Sequence, residues 1–219
     1  LKHLYNVIKN NTKRGANIEM YPLKIIGADF NKAARLASTI NLQKAGIKHA
    51  ILNGDISNPI DYAQSLKSNY GLDLKKMLNV RSFLDHNRIY SPPKKDFYDK
   101  TCNSTGAFSS RGRWIPNKEL KQNLIEHFKC WANYVSKFGL LILELHTIPP
   151  ELAAKHIGQT VATAYDGTHG YSDQYIVEAD IMLKAAEEAG LNPDPEYQAH
   201  FPNDEIPTIS INLFRSENQ

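Results

Sequence analysis

The apolar positions of this chain alternate between helical and strand-like spacing. Leu1, Leu4, Tyr5 and Ile8 recur at helical intervals and predict a first helix over residues 1–14, closed by Gly15. The run Leu23 to Ala28, bounded by Pro22 and Asp29, predicts a short buried strand. Ala34, Ala37, Ile40 and Leu42 return to helical spacing, with Asn31 as N-cap and Gly46 as the stop. "KHAILNGDI" predicts a second strand running into a Gly-Asp turn. "SNPIDYAQSLKSNYG" predicts a helix entered through Ser57 or Asn58, with Pro59 in its first turn. "KMLNVRSFL" predicts a third strand. This alternation is the pattern of a parallel sheet wrapped by helices.

Residues 91–116, "SPPKKDFYDKTCNSTGAFSSRGRWIP", break the rhythm. A polar, turn-rich segment of that length is usually functional, and Phe97, Tyr98, Phe108 and Trp114 predict that part of it docks. We read it as a lid or insertion loop. Leu120, Leu124, Phe128, Trp131 and Val135 then mark the buried stripe of a helix over 117–139. "LLILEL" is a buried strand, apolar except for Glu144. Two further helices are predicted from Pro149 and from Ser172, joined by "DGTHGYSDQY", Asp166 to Tyr175. "EYQAHF" and "TISINLF" alternate with period two and predict a pair of strands at a sheet edge.

Composition narrows the function classes. The 219 residues suffice for one domain, 1–219, and 42% are hydrophobic, enough for a core. The 26 basic and 23 acidic residues leave a net charge of +3 without a basic run, which argues against nucleic acid as a partner. No apolar stretch approaches the roughly 20 residues of a membrane span, so no membrane partner is expected. Cys102 and Cys130 are two cysteines in a long chain, which suits a reducing, cytoplasmic compartment. The first residue is Leu rather than Met, so the chain reads as a fragment, a processed product or an excised domain.

In an open α/β sheet, ligands bind beyond the carboxyl ends of the strands. Asp29 and Phe30 lie there after the first strand, and Gly54, Asp55 and Ile56 after the second. Arg81, Ser82, Asp85 and His86 follow the third, and Glu144 and His146 the fourth. A carboxylate after an early strand suits a ribose. A second acid on a Gly-Asp-Ile turn suits an adenine, with the isoleucine against the ring. The alternatives are a helix N-cap for Asp29 and a plain turn for "GDI". A nicotinamide-cofactor enzyme would share the sheet, but the second acid, one strand–helix unit on, favours a different nucleoside.

"IIGADFNKAAR" and "AILNGDISNP" resemble the second and third sheet segments of class I S-adenosylmethionine-dependent methyltransferases. "NVRSFLDHNRIYSPP", "LLILELHTIPPELAAKHIGQTVATAYDGTHGYSDQYIVEAD" and "TISINLFR" resemble the polyketide-synthase group, apratoxin loading-module enzymes included. The resemblance spans nearly the whole chain. It implies a Rossmann-like, mostly parallel sheet with an antiparallel closing strand. It also implies S-adenosylmethionine as cofactor, held by Asp29, Phe30, Gly54, Asp55, Ile56 and Arg81. The family's first strand and glycine-rich loop have no counterpart after Leu1, so an N-terminally truncated domain is expected. The implied reaction is carbon methylation of an acyl group on an acyl carrier protein, or of a polyketide-like small molecule. Oxygen or nitrogen methylation of a small molecule, or a non-catalytic methyltransferase-like fragment, are the alternatives.

Methylation at carbon requires a base, and histidine titrates in the right range. His146 follows the fourth strand, and His169 sits in a turn that does not need it. Both are candidate catalytic residues. The resemblance adds a mononuclear iron, with manganese an equal choice, held by His146, His169 and Gln174. Gln174 has an alternative as a capping-box partner of Ser172. His86 suits either a substrate contact or a loop hydrogen bond. His3, His49, His127, His156 and His200 are assigned to the surface or to satisfied core positions.

Overall fold

The structure, a computed structural model, describes residues 2–97, 101–135, 138–159 and 172–216. The chain divides into two compact units, Leu1–Tyr62 and Ala63–Gln219.

The first unit contains α1 (Lys2–Asn11), α2 (Lys13–Ala16), β1 (Ile25–Ala28), α3 (Lys32–Lys44) and β2 (His49–Leu52), and ends in the first turn of α4 (Pro59–Tyr70). The first helix stops earlier than its periodicity predicts. The Thr12 hydroxyl donates to the Ile8 carbonyl at 2.6 Å and accepts from the Gly15 amide at 3.1 Å, ending α1 and capping α2. Gly15 is needed inside α2, because a Cβ there would lie 2.0 Å from the Lys9 carbonyl oxygen. Strands β1 and β2 pair in parallel from Ile25–His49 to Ala28–Leu52. Asn31 caps α3 as expected, its side-chain oxygen accepting from the Ala33 and Ala34 amides. Ile25, Leu42 and Ile47 form the small core of this unit.

The second unit contains β3 (Asn79–Ser82), the hairpin β4 (Phe108–Ser110) and β5 (Arg113–Ile115), α5 (Asn117–Ala132), β6 (Leu140–Leu145), α6 (Pro150–Lys155), α7 (Ala179–Glu188), β7 (Leu191–Phe201) and β8 (Ile209–Ser216). Its sheet runs in the order β3-β6-β8-β7. Only β3 and β6 pair in parallel, whereas β8 runs antiparallel to both β6 and β7. The sheets are therefore small and mixed, not the mostly parallel sheet the sequence suggested. The connection from β7 to β8 is too short for a crossover, so the two strands must be antiparallel, and β8 inserts beside β6. The core lies between the sheet and α5 and α7, around Leu120, Leu124, Phe128, Leu140, Ile142 and Phe214.

Two further segments shape this unit. Within residues 91–116, Phe108 and Ile115 are core residues of the β4–β5 hairpin. The Thr105 amide and hydroxyl donate to Glu178 Oε1 at 2.7 and 2.9 Å, and the Lys94 and Lys95 amides donate to Glu126. The segment is thus built into this unit along much of its length. Residues 174–178 form neither helix nor strand and α7 starts only at Ala179, so Ser172 does not cap it. Tyr175, Ile176 and Val177 are buried. Tertiary contacts outweigh the helical periodicity of a segment whose backbone finds partners elsewhere.

Candidate active site at the ends of β3 and β6

Parallel pairing of Ser82 with Leu143, continued by the Phe83 amide to the Leu143 carbonyl at 2.8 Å, brings the residues after β3 over the end of β6. The chain then turns through Asp85–Asn87. There the Asp85 and His86 amides donate to Glu144 Oε2 at 2.8 and 3.2 Å. His86 Nδ1 lies 2.5 Å from Glu144 Oε1, and both residues are buried. An ionised carboxylate only accepts, so Nδ1 carries the proton and Nε2 is the basic nitrogen. Among the described residues, His86 Nε2 makes no hydrogen bond, and it is not one of the fully enclosed unpaired atoms. Tyr175 N donates to the His86 carbonyl at 2.8 Å and Gln174 Nε2 to Asn87 Oδ1 at 3.2 Å, which lays the 174–178 segment along this turn.

A second layer supports the turn. Arg81 forms a buried ion pair with Asp85, and His127 Nε2 lies 2.8 Å from the same carboxylate oxygen. The Arg81 guanidinium stacks 4.1 Å over the Trp131 ring. Burial would raise the Asp85 pKa, but the Arg81 charge and the His127 hydrogen bond hold it well below the usual carboxylate range. Arg81, assigned to cofactor from the sequence, thus faces α5 and makes its contacts with protein groups. His127 belongs to this buried network.

His146 is fully buried. Its Nε2 lies 2.7 Å from Ser210 Oγ and its Nδ1 3.1 Å from the Val177 carbonyl. Both ring nitrogens are engaged inside the core, which leaves none for a metal ion or a substrate proton. Burial pushes its pKa down to about 4. The folded state binds that proton less readily than the unfolded state, whose histidine titrates near 6.5. His146 therefore contributes stability that is complete above pH 6.5 and is lost as pH falls toward 4. The contribution at stake is about 3 kcal/mol. Urea denaturation between pH 7 and 4 is expected to show this slope in the wild type and a flatter one in His146→Leu. Equal slopes in the two proteins would refute the assignment.

His169 lies outside the described residues, as do Asp166, Gly167 and Gly170. Among the described residues, no group of three or more His, Cys, Asp or Glu side chains has the geometry to hold a metal ion. His146, with both ring nitrogens engaged, does not fit the iron or manganese site that the resemblance implies. Gln174 donates to Asn87 through Nε2, which does not engage its Oε1, and His169, the third expected ligand, lies outside the described residues. No helix among the described residues is long and apolar enough to cross a membrane.

In the first unit, Asp29 Oδ1 accepts from the Asn31 amide at 2.7 Å and Asp55 Oδ1 from the Ser57 amide at 2.8 Å. Each carboxylate closes a local turn and retains an oxygen without a partner among the described residues. The turn and ligand readings of these residues are therefore compatible. The Asp29 amide donates to the Leu52 carbonyl and the Gly54 amide to the Asp29 carbonyl, so the two loops lie side by side. A Cβ at Gly54 would come within 3.0 Å of the Ala28 Cβ and 3.2 Å of the Tyr62 ring. Phe30 is exposed at 72%, and Ile56 is half-buried. Asp29, Gly54 and Asp55, expected to hold a nucleoside, thus lie on adjacent loops, with both acids half-buried.

No curated protein matches the chain. Among solved structures, the apo form of the S-adenosylmethionine-dependent methyltransferase SibL shares 14% identity over 92% of this chain and 46% of its own, with a TM-score of 0.44. The mitomycin 7-O-methyltransferase MmcR shares 10% identity over 88% of this chain and 48% of its own, with a TM-score of 0.40. The chain thus spans about half the length of each. Residues 1–212 match the family described as the AprA MT2-like domain. The chain belongs to the AprA MT2-like methyltransferase domain family.

Proposed function

We propose that this chain is the methyl-transferring domain of an S-adenosylmethionine-dependent enzyme and that His86, oriented by Glu144, is its general base. The buried His86–Glu144 pair supports this most directly. A carboxylate fixes the tautomer and orientation of the imidazole and stabilises the imidazolium that forms when Nε2 takes a proton. Asp29 and Asp55, each with an oxygen that has no partner among the described residues, would hold the nucleoside of S-adenosylmethionine, which supplies an electrophilic methyl group when bound. The acceptor we favour is the acidic carbon of an acyl group on an acyl carrier protein, in line with the family. A hydroxyl acceptor is the second reading, because the same histidine can deprotonate it.

Full-length protein incubated with S-adenosylmethionine and either a malonyl-pantetheine thioester or a small phenol distinguishes the two by the site of the added methyl. Binding of S-adenosylmethionine without transfer to any proton-bearing acceptor would overturn the reading. Asp29→Ala is expected to weaken S-adenosylhomocysteine binding by about 1–3 kcal/mol, the scale of a lost charge-assisted hydrogen bond. Unchanged affinity by calorimetry would remove Asp29 from the site.

A further inference from the structure

The register of β1 and β2 ends at Ala28–Leu52, so the loops that carry Asp29 and Asp55 begin where the ladder stops. Beyond it, the Asp29 amide donates to the Leu52 carbonyl at 3.2 Å and the Gly54 amide to the Asp29 carbonyl at 3.4 Å. The second is longer than an ordinary N–H···O bond. A side chain supplies the stronger tie. Asn31 caps α3, and the Arg35 amide donates to the Asn31 carbonyl at 3.0 Å, which places Arg35 one turn into the helix. Helical side chains lean back toward the N-terminus. Arg35 accordingly folds over the loop before α3. There its Nη1 donates to the Asp29 and Phe30 carbonyls at 2.8 Å each and to Asn53 Oδ1 at 2.9 Å. The first two bonds fix the peptide planes on both sides of Phe30. The third crosses to the neighbouring loop, just before Gly54 and Asp55. A cation near the N-terminal end of a helix opposes its dipole, and α3 has no acidic residue in its first turn to offset Arg35. The electrostatics of the helix thus do not favour an arginine here.

We propose that Arg35 is a positioning residue for the cofactor: it clasps the two acid-bearing loops together and holds Asp29 and Phe30 in the arrangement a nucleoside needs. The proposal rests on the reading of Asp29 and Asp55 as nucleoside ligands. Arg35 acts through the loops, since its Nη1 hydrogens are already committed to three protein oxygens. Without the clasp, the loops past the strand ends are joined only by the two longer backbone bonds, and the spacing of the carboxylates is free to vary. Binding must then order the loops, and that cost falls on affinity. The chemical step keeps its barrier once the cofactor is bound. The clasp therefore governs the nucleoside half of the cofactor, and it acts on KM and not on kcat.

The test is calorimetric binding of S-adenosylhomocysteine, and of methylthioadenosine, which lacks the amino-acid part, to the full-length protein. Arg35→Met is expected to weaken both ligands by the same factor, about 10–100-fold, the scale of lost charge-assisted hydrogen bonds. The KM for S-adenosylmethionine is expected to rise by that factor while kcat at saturating cofactor stays near the wild-type value. Arg35→Lys, which keeps a cationic donor on a different geometry, is expected to lie between. Asn53→Ala removes only the crossing bond, and it carries the test if Arg35→Met does not fold. Added ethylguanidinium is expected to restore affinity to Arg35→Ala and to leave wild type unchanged, which a general loss of structure would not allow. Wild-type affinity in Arg35→Met and Asn53→Ala, with Asp29→Ala weakened, would overturn the clasp and leave the nucleoside reading intact. A loss seen with S-adenosylhomocysteine and spared with methylthioadenosine, or a fall in kcat with KM unchanged, would also overturn it. Wild-type affinity in both Asp29→Ala and Asp55→Ala would overturn the nucleoside reading, and the clasp with it.

Discussion

Replacing His86 by Asn lowers methyl transfer by about 10²–10⁴-fold while leaving S-adenosylhomocysteine affinity unchanged. The size follows from what the side chain is placed to do. Proton removal by a positioned base accounts for that range, and His86 is positioned by three hydrogen bonds to one carboxylate, through its ring, its own amide and the Asp85 amide. Glu144→Gln is expected to fall between wild type and His86→Asn. An amide offers one acceptor oxygen, so it cannot serve both the ring and the two amides as the carboxylate does. Steady-state turnover with a saturating acceptor is the measurement. A His86→Asn enzyme retaining more than a tenth of wild-type turnover would eliminate His86 as the base.

The second large effect concerns stability. Asp85→Asn is expected to destabilise the fold by about 3–5 kcal/mol, because it leaves the buried Arg81 guanidinium without its counter-charge. Asp85 meets both Arg81 and His127 through one oxygen, while Arg81 Nε and Nη2 have no hydrogen-bond partner among the described residues. Replacing both members, as in Arg81→Met with Asp85→Leu, is expected to cost less than the single change, since no lone charge stays buried. Chemical denaturation of the three proteins at pH 7 decides this. A loss below 1 kcal/mol in Asp85→Asn would mean that the pair is solvated. Because Asp85 titrates lower in the fold than unfolded, its contribution holds above the ordinary carboxylate pKa and declines under more acidic conditions.

Both effects meet at "LDHNR" and "LLILEL", and the residues involved were only partly visible beforehand. Glu144 stood out as the one charge in an apolar strand, a placement that requires a buried partner. His86 was open between substrate contact and loop hydrogen bond. Nothing in the spacing linked the two, which lie 58 residues apart in the chain. His127 lies on the apolar side of α5 and looked like a satisfied core group. It is satisfied, but by Asp85, within the network under the site. Arg88 carries no sequence signal, since an arginine beside a turn is ordinarily solvated.

Local signals carried the elements whose stability is local. Asn31, Gly46 and Pro59 marked helix ends correctly because caps and φ preferences act within a turn of chain. Leu120, Leu124, Phe128 and Trp131 were legible as the buried stripe of α5 because a 3.6-residue period has one geometric solution. The non-helical course of residues 174–178, the β4–β5 hairpin and the place of β8 between β6 and β7 were not legible. Each depends on hydrogen-bond partners far away in the chain, such as Tyr175 to His86 and Thr105 to Glu178. The same holds for histidine chemistry. "LELH" put His146 at a strand end by simple counting, yet whether a ring is a base or a core strut depends on what its two nitrogens meet. Ser210 and Val177 close one histidine, Glu144 leaves the other half open, and only the packing of distant segments decides which is which.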